Sequence, residues 1–441
     1  MEQLFEHTSI RRVYFTLAMP VVLSMAVTLI YNMVDTFFVA QTQNPALVAG
    51  VSQGAPVFTL LIAIGDIFGL GGSSVISRLF GEKRDQEGRN VSGYAFYAAF
   101  FWGIIVSALM LIFKDQALHL LGASKATWKY ADEYYTVMAW GAAFVVFGLA
   151  PNNILRTEGL ALESMKASMT GTIINIVLNP IFIFIFTLGL GAAGSALATV
   201  TSNVIGDLLM IYYLRTKSQK LTTSIKETKV SWDLKRQIYA IGIPASITNV
   251  MATLAMALTN RYLIDYGADS VAAMGIALKV SMIINMIFIG FAFGAQPLIG
   301  YVYGAKDRRR FQGALRFDLL VVCGFALVMT AIMFFLAPII ITWFMKDPTI
   351  VKEGAIMVRW LVISSTLAGF TLVFTTVFQS MGKALPALLL SLARQGIIFT
   401  VAIVILAHFF GYHGIIAAQA VADLLTAILA IALFARYKPK F

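Results

Sequence analysis

Runs dominated by apolar residues divide the chain into twelve stretches, at about 13–39, 51–77, 91–113, 131–152, 164–187, 191–214, 237–263, 271–299, 313–338, 354–380, 385–409 and 412–435. Each is long enough to cross a bilayer, since roughly 20 helical residues span the hydrocarbon core. The pattern predicts an all-α polytopic membrane protein with twelve transmembrane helices. Short polar segments separate the runs, and the longest of them, Lys217 to Arg236, splits the chain near its middle. So little chain lies outside the runs that a soluble catalytic domain has no room. The glycines form no Walker-type loop, and His7, His119, His408 and His413 show no ligand spacing, so the chain does not read as an enzyme.

Composition agrees with the pattern. Of 441 residues, 59% are hydrophobic and 12% charged, against about 25% charged in a soluble globular protein; mean hydropathy is +0.81. The net charge of +11 could by itself point to nucleic acid. The placing of the basic residues changes that reading. With the N-terminus taken as cytoplasmic, most Lys and Arg fall before span 1, after the even-numbered spans and at the C-terminus. Fewer, such as Lys114, Lys125 and Lys346, fall on the opposite side. This is the positive-inside distribution. Both termini are therefore expected in the cytoplasm, with the lipid bilayer as partner and no nucleic acid. The opening MEQLFEHTSIRR carries acids and lacks the layout of a secretory signal, so the first span reads as retained. Cys323 is the one cysteine and lies in an apolar run, which leaves neither a disulfide framework nor a cysteine metal site, and no metal is expected.

The two halves repeat. Pro20 in LAMPVVLS corresponds to Pro244 in IGIPASIT, LGGSSVISRLFGEKR from Leu70 to FGAQPLIGYVYGAKD from Phe293, and Gly159 in RTEGLA to Gly382 in QSMGKA. The separation stays at 223 or 224 residues through loops as well as spans. The expected organisation is an N-terminal lobe over 1–216 (helices 1–6), a cytoplasmic linker over 217–236 and a C-terminal lobe over 237–441 (helices 7–12). Parallel six-helix repeats are a recurrent transporter architecture, with the substrate site at the repeat interface and alternating access by rocking. The other reading of a duplicated scaffold, a channel, lacks a repeated filter-like loop or ring of charge.

Several segments resemble a known family. NMVDTFFVA (Asn32 to Ala40), NIVLNPIFIF (Asn175 to Phe184), GFAFGAQPLIGYVYGAK (Gly290 to Lys306) and the G-x-K turns at Gly81/Lys83 and Gly304/Lys306 are similar to the multidrug and toxic compound extrusion (MATE) family of the MOP flippase superfamily. The resemblance covers both halves. It implies two six-helix lobes in a V, exporting amphipathic, often cationic organic compounds by antiport with H⁺ or Na⁺, with no cofactor beyond the coupling ion. A monomer in a prokaryotic inner membrane is expected. In the DinF-like branch the coupling site lies in the N-terminal lobe, and the matching positions here are Asp35 on helix 1, Asn175 and Asn179 on helix 5 and Thr199 on helix 6. Asn179 departs from the family pattern, which has an acid there; Asp35 is left as the one carboxylate of the set. The glutamate that another branch carries on helix 7 has no counterpart in MATLAMALTN (Met251 to Asn260). A lipid-linked oligosaccharide flippase of the same superfamily is the alternative, and it would need a cationic cavity for pyrophosphate, for which Arg394 and Lys279 are the deep candidates.

Depth gives an independent argument for the same residues. A charged side chain at the bilayer centre costs roughly 2.5–3.5 kcal/mol on insertion scales, so an intramembrane acid is a functional candidate by default. In the topology above, Asp35, Asn179 and Thr199 share the outer third of three helices of one half. Asn175 and Asn179 are four residues apart, on one helix face, and Pro180 cannot donate a backbone hydrogen bond. These groups offer oxygens to a proton, a hydrated cation or a substrate ammonium. For Asp35 the alternative is a packing hydrogen bond to a neighbouring helix. Tyr31, Asn32, Met33, Met256 and Met282 lie near the expected cleft, where aromatic and Met faces suit promiscuous cations. Asp66, Gln296, Gln379 and Arg394 complete the candidate substrate cavity. Asp207 and Asp423 read as nearer to structural.

Overall fold

The computed structural model describes residues 2–185, 190–344 and 346–439, and among them every regular element is helical. The helices are α1 (Ile10–Ala40), α2 (Pro45–Gly81), α3 (Asp85–Ile112), the short α4 (Lys114–Leu120), α5 (Trp128–Ile154), α6 (Ala161–Pro180) and α7 (Gly191–Thr216). They continue with α8 (Trp232–Leu263), α9 (Ala268–Gly304), α10 (Arg308–Phe344), α11 (Pro348–Ser380), α12 (Ala384–Leu392) and α13 (Ile398–Tyr437). Side-chain caps fix two of the starts. Asn44 accepts from the amides of Ala46 and Leu47 ahead of α2, and Asp347 accepts from those of Thr349 and Ile350 ahead of α11. Each cap is followed by proline at the first helical position, where a missing N–H costs nothing.

Among the described residues eleven helical stretches are long and apolar enough to span a membrane, against the twelve expected. The difference lies in the last, Ala384–Tyr437, which has 54 residues. At about 1.5 Å per residue it would reach some 80 Å, far beyond one hydrocarbon core. Gly411 interrupts it with φ 55° and ψ −130°, a backbone state that only glycine adopts without strain. The break falls between the eleventh and twelfth predicted runs, 385–409 and 412–435. The end of the fifth run, 186–187, lies outside the described residues.

The chain divides into two compact units, Leu23–Ser246 and Glu2–Val22 with Ile247–Phe441. The division therefore runs inside α1 and α8, close to Pro20 and Pro244, and not at the polar linker. Residues 2–22 pack with the C-terminal helices: Tyr14 donates to Asp318 of α10 at 2.8 Å, and the Arg310 guanidinium donates to the carbonyls of Glu6 and Thr8. The segment after α7 is fastened to the first unit. There Glu158 accepts from the backbone amides of Gln219 and Lys220, Lys220 pairs with Asp85 at 2.7 Å, and Arg89 with Glu227 at 2.9 Å.

Both units are built around one enclosed helix. In the first, α5 packs on α2, α3 and α7, with α6 against α7; in the second, α11 packs on α9, α10 and α13. The apolar windows of the α5 and α11 spans are 67% and 72% buried, against 11% for α10. The sequence repeat carries over to the backbone: Lys83 and Lys306 both take left-handed φ (60° and 56°), as do Gly159 and Gly382 (91° and 71°). A left-handed lysine is uncommon, so the recurrence at equivalent turns marks one turn design used twice.

Candidate functional site

In the first unit, α1, α6 and α7 bring the four expected coupling residues together. The side-chain amide of Asn179 donates to the Asp35 carboxylate, and the Ser195 hydroxyl donates to the same oxygen at 3.4 Å. Asn175 donates to the hydroxyls of Thr199 (3.3 Å) and Ser202 (3.2 Å), and the Thr199 hydroxyl lies 3.3 Å from that of Tyr31. Asn175, Asn179 and Thr199 are buried, while Asp35 is half-buried. Local sequence explains the placing. Asn175 and Asn179 stand one turn apart on α6, and Pro180, which has no N–H, is followed by a π-helical turn over Ile181–Ile185. On α7, Ser195, Thr199 and Ser202 follow at helical spacing on one face.

The cluster offers oxygen acceptors of the kind that can hold a cation. Among the described residues neutral donors alone hydrogen-bond the Asp35 carboxylate. The amide oxygens of Asn175 and Asn179 are buried and accept no hydrogen bond there. Buried acceptors without donors are costly, and a small cation or a water would satisfy them. Ser195 and Ser202 escaped sequence reasoning. Their positions four before and three after Thr199 were the available signal.

The other candidates scatter. Tyr31 joins the cluster, whereas Asn32 is half-buried and Met33 exposed, and neither makes a side-chain hydrogen bond to it. Asp66, on α2, is half-buried and interacts electrostatically with the buried Arg156, which also donates to Asn152 at 3.0 Å. Asp207 is buried on α7, its carboxylate lying where Gly148 has no side chain. In the second unit Gln296 and Gln379 are enclosed in the helix core, and Met282 is exposed. Arg394 and Met256, in contrast, line one cleft. Arg394 sits in a π-helical turn (Ala393–Ile397) and donates through Nε to Asp423 at 2.9 Å. Asp423 is fully buried and also accepts from Ser364 and, at 3.2 Å, from Gln419. Lys279 is exposed.

Membrane-spanning helices with polar clusters inside each bundle, including a half-buried carboxylate at helix depth, define a multi-pass membrane transport protein. The MatE family model matches residues 20–181 and again 244–405, and the chain belongs to that family. The double match retraces the internal repeat from Pro20 and Pro244 onward. Among relatives, the multidrug export protein MepA of Staphylococcus haemolyticus (strain JCSC1435) is 28% identical over 432 residues, covering 98% of this chain and 95% of its own. A crystallised MATE in complex with MaL6 superimposes with a TM-score of 0.92 at 25% identity, covering 98% of this chain and 97% of its own. An outward-facing multidrug resistance MATE family transporter of the MOP superfamily gives 0.91 at 26% identity, with the same coverage.

Proposed function

We propose that the protein is a proton-coupled exporter of amphipathic, often cationic organic compounds. It works as a monomer by alternating access in a prokaryotic inner membrane, with both termini cytoplasmic. The observation that carries this reading is Asp35, a carboxylate at membrane depth, hydrogen-bonded by Asn179 and Ser195 and facing no basic partner among the described residues. An ionised carboxylate held by neutral donors attracts a cation, and a protonated one does not. Proton and substrate ammonium therefore compete for one site, which is the thermodynamic requirement of antiport. Protonation from outside removes the charge, loosens the donors around it and shifts the outer part of α1, so that the cationic ligand leaves.

A Na⁺-coupled version of the same site draws support from the two amide oxygens of Asn175 and Asn179, hard acceptors that suit an alkali cation. The flippase reading is less supported. Of its two cationic candidates, Lys279 is exposed and Arg394 shares its single charge with Asp423, too little for a pyrophosphate.

The test is ethidium efflux from everted vesicles, wild type against Asp35→Asn, under separately imposed pH and Na⁺ gradients. Efflux driven by the pH gradient alone and lost in the variant is the expected result. Full-rate, proton-driven efflux by Asp35→Asn overturns the proposal, and a strict Na⁺ requirement transfers the site to the sodium version.

A further inference from the structure

The second unit holds a small cleft of about 110 Å³ between α8, α9, α11 and α13, lined among others by Met256, Ser281, Asn285, Ser365, Gln395 and Phe399. Room of that size takes a polar headgroup, with the rest of a ligand lying at the mouth, and the mixture of apolar walls with a few polar groups is typical of ligand sites. Arg394 is the one charged side chain in the lining. Its geometry is unusual for a structural ion pair. A guanidinium committed to a carboxylate commonly engages it through two parallel N–H bonds. Here Asp423 takes Nε alone, at 2.9 Å. The remaining acceptor capacity of Asp423 is met by Ser364 and Gln419. Among the described residues no acceptor hydrogen-bonds Nη1 or Nη2, and the side chain keeps 21% exposure while Asp423 has none. Asp423 therefore works as a clamp: it holds the guanidinium through Nε and leaves Nη1 and Nη2, on a side chain that lines the cleft, without a partner among the described residues.

We infer that this cleft is a second binding site, selective for amphipathic compounds that carry a carboxylate, which the Nη1 and Nη2 groups of Arg394 grip while the apolar body lies along Met256 and Phe399. It rests on the reading of the chain as an exporter of amphiphiles, but it assigns a different site and the opposite charge class from Asp35. The planar fork matches a carboxylate in shape and donor spacing. A flexible thioether and an aromatic ring adapt to differing bodies. Ser281, Asn285, Ser365 and Gln395 supply neutral hydrogen bonds that serve a zwitterion's second pole equally well. A bare cation finds a guanidinium in place of a counter-charge. A pyrophosphate brings more negative charge than one arginine shared with Asp423 can meet.

The experiment uses the purified full-length protein in detergent micelles, with dansyl-aminoundecanoic acid as fluorescent probe and its methyl ester as control. Wild type binds the acid and discriminates against the ester. Arg394→Gln weakens acid binding by about tenfold or more, the expected loss of a charged hydrogen-bond pair, without changing ester binding; Arg394→Lys retains part of the affinity. Since Arg394→Gln leaves Asp423 buried without its partner, Arg394→Gln with Asp423→Asn removes both charges, and thermal unfolding verifies that this protein folds. Ethidium does not displace the acid from wild type. Displacement by laurate and not by 1-naphthoate locates the natural ligand in the bilayer, and the reverse locates it in the aqueous phase; both keep the carboxylate site. Equal affinity for acid and ester, acid binding by the folded double variant within twofold of wild type, or full displacement by ethidium overturns it. None of these results depends on ethidium efflux through Asp35, so the two proposals fail separately.

Discussion

Replacing Gly242 by alanine should loosen the first unit, because α8 and α2 cross there with backbone against backbone. A Cβ built on Gly242 falls 2.1 Å from the carbonyl oxygen of Ile67 and 2.6 Å from its Cα; one built on Gly71 falls 2.3 Å from the carbonyl oxygen of Ile238. Real Cβ atoms essentially never come within 3.0 Å of such neighbours, so the helices must separate by about 0.9 Å. Backbone cannot swing aside as a side chain can. A gap of roughly 0.5–1 Å forfeits a quarter to a half of each dispersion contact along the crossing, and overpacking of this kind costs about 1–3 kcal/mol. The better helix propensity of alanine returns about 1 kcal/mol, leaving a net loss of up to about 2 kcal/mol. Gly324 on α10 is the control, with nothing within 4 Å of its built Cβ. Gly324→Ala should gain up to about 1 kcal/mol from propensity alone. Thermal unfolding in micelles, followed by the fluorescence of the six tryptophans, should rank Gly242→Ala below wild type and Gly324→Ala level with it or above. Gly71→Ala should resemble Gly242→Ala, and the double variant should lose less than the sum, since the crossing opens once. A Gly242→Ala protein melting at or above wild type refutes the argument.

Two further outcomes follow from named contacts. Tyr14→Phe removes the hydroxyl that donates to the fully buried Asp318, whose other oxygen has no donor among the described residues; the loss should be about 1–3 kcal/mol in the same assay, and Tyr14→Phe with Asp318→Leu should recover part of it. Hydrogen bonding from Thr222, and then from Arg89, holds the Glu227 carboxyl below its ordinary value. A carboxylate lowered in the docked state stabilises docking above the ordinary carboxylate range and loses that contribution as pH falls through the lowered value. Anisotropy of a fluorophore at Lys226→Cys, in a Cys323→Ser background, should stay level from pH 7 to about 5 and fall below about pH 4, with no acid step in Glu227→Gln.

What sequence could and could not reveal follows from where the constraint sits. Asp35, Asn175, Asn179 and Thr199 were legible because polar groups in an apolar run are expensive and therefore few, and shared depth narrows the partners. The repeat was legible because its anchors are turns with special backbone: Gly159 and Gly382 recur as left-handed residues, as do Lys83 and Lys306. Ser195 was obscure because a serine among alanines and glycines reads equally as a small packing residue, and Ser202 because Thr201 and Asn203 on either side are as polar. The Arg394–Asp423 pair was obscure for a different reason. The partners are 29 residues apart across the Gly411 break, and apolar periodicity carries no register between separate spans. Nor does periodicity tell which unit the inner part of a helix joins, so the assignment of residues 2–22 to the C-terminal helices was out of reach.

The two units inherit one architecture and solve the cost of an intramembrane acid in opposite ways. Asp423 has its counter-charge built in, from Arg394, and needs no cation from outside the chain. Asp35 has amide and hydroxyl donors but no basic partner among the described residues, so its compensation has to come from outside the chain, as a proton, a metal cation or a substrate ammonium. An acid neutralised from within can orient a neighbouring group but gains little from exchanging cations. An acid neutralised from without changes its surroundings each time the cation changes. If duplication gave both units the same starting helices, the arginine in one and its absence near Asp35 in the other are what divide the labour. On the proposed reading cation coupling belongs to the first unit, and the guanidinium of the second selects a ligand by its carboxylate.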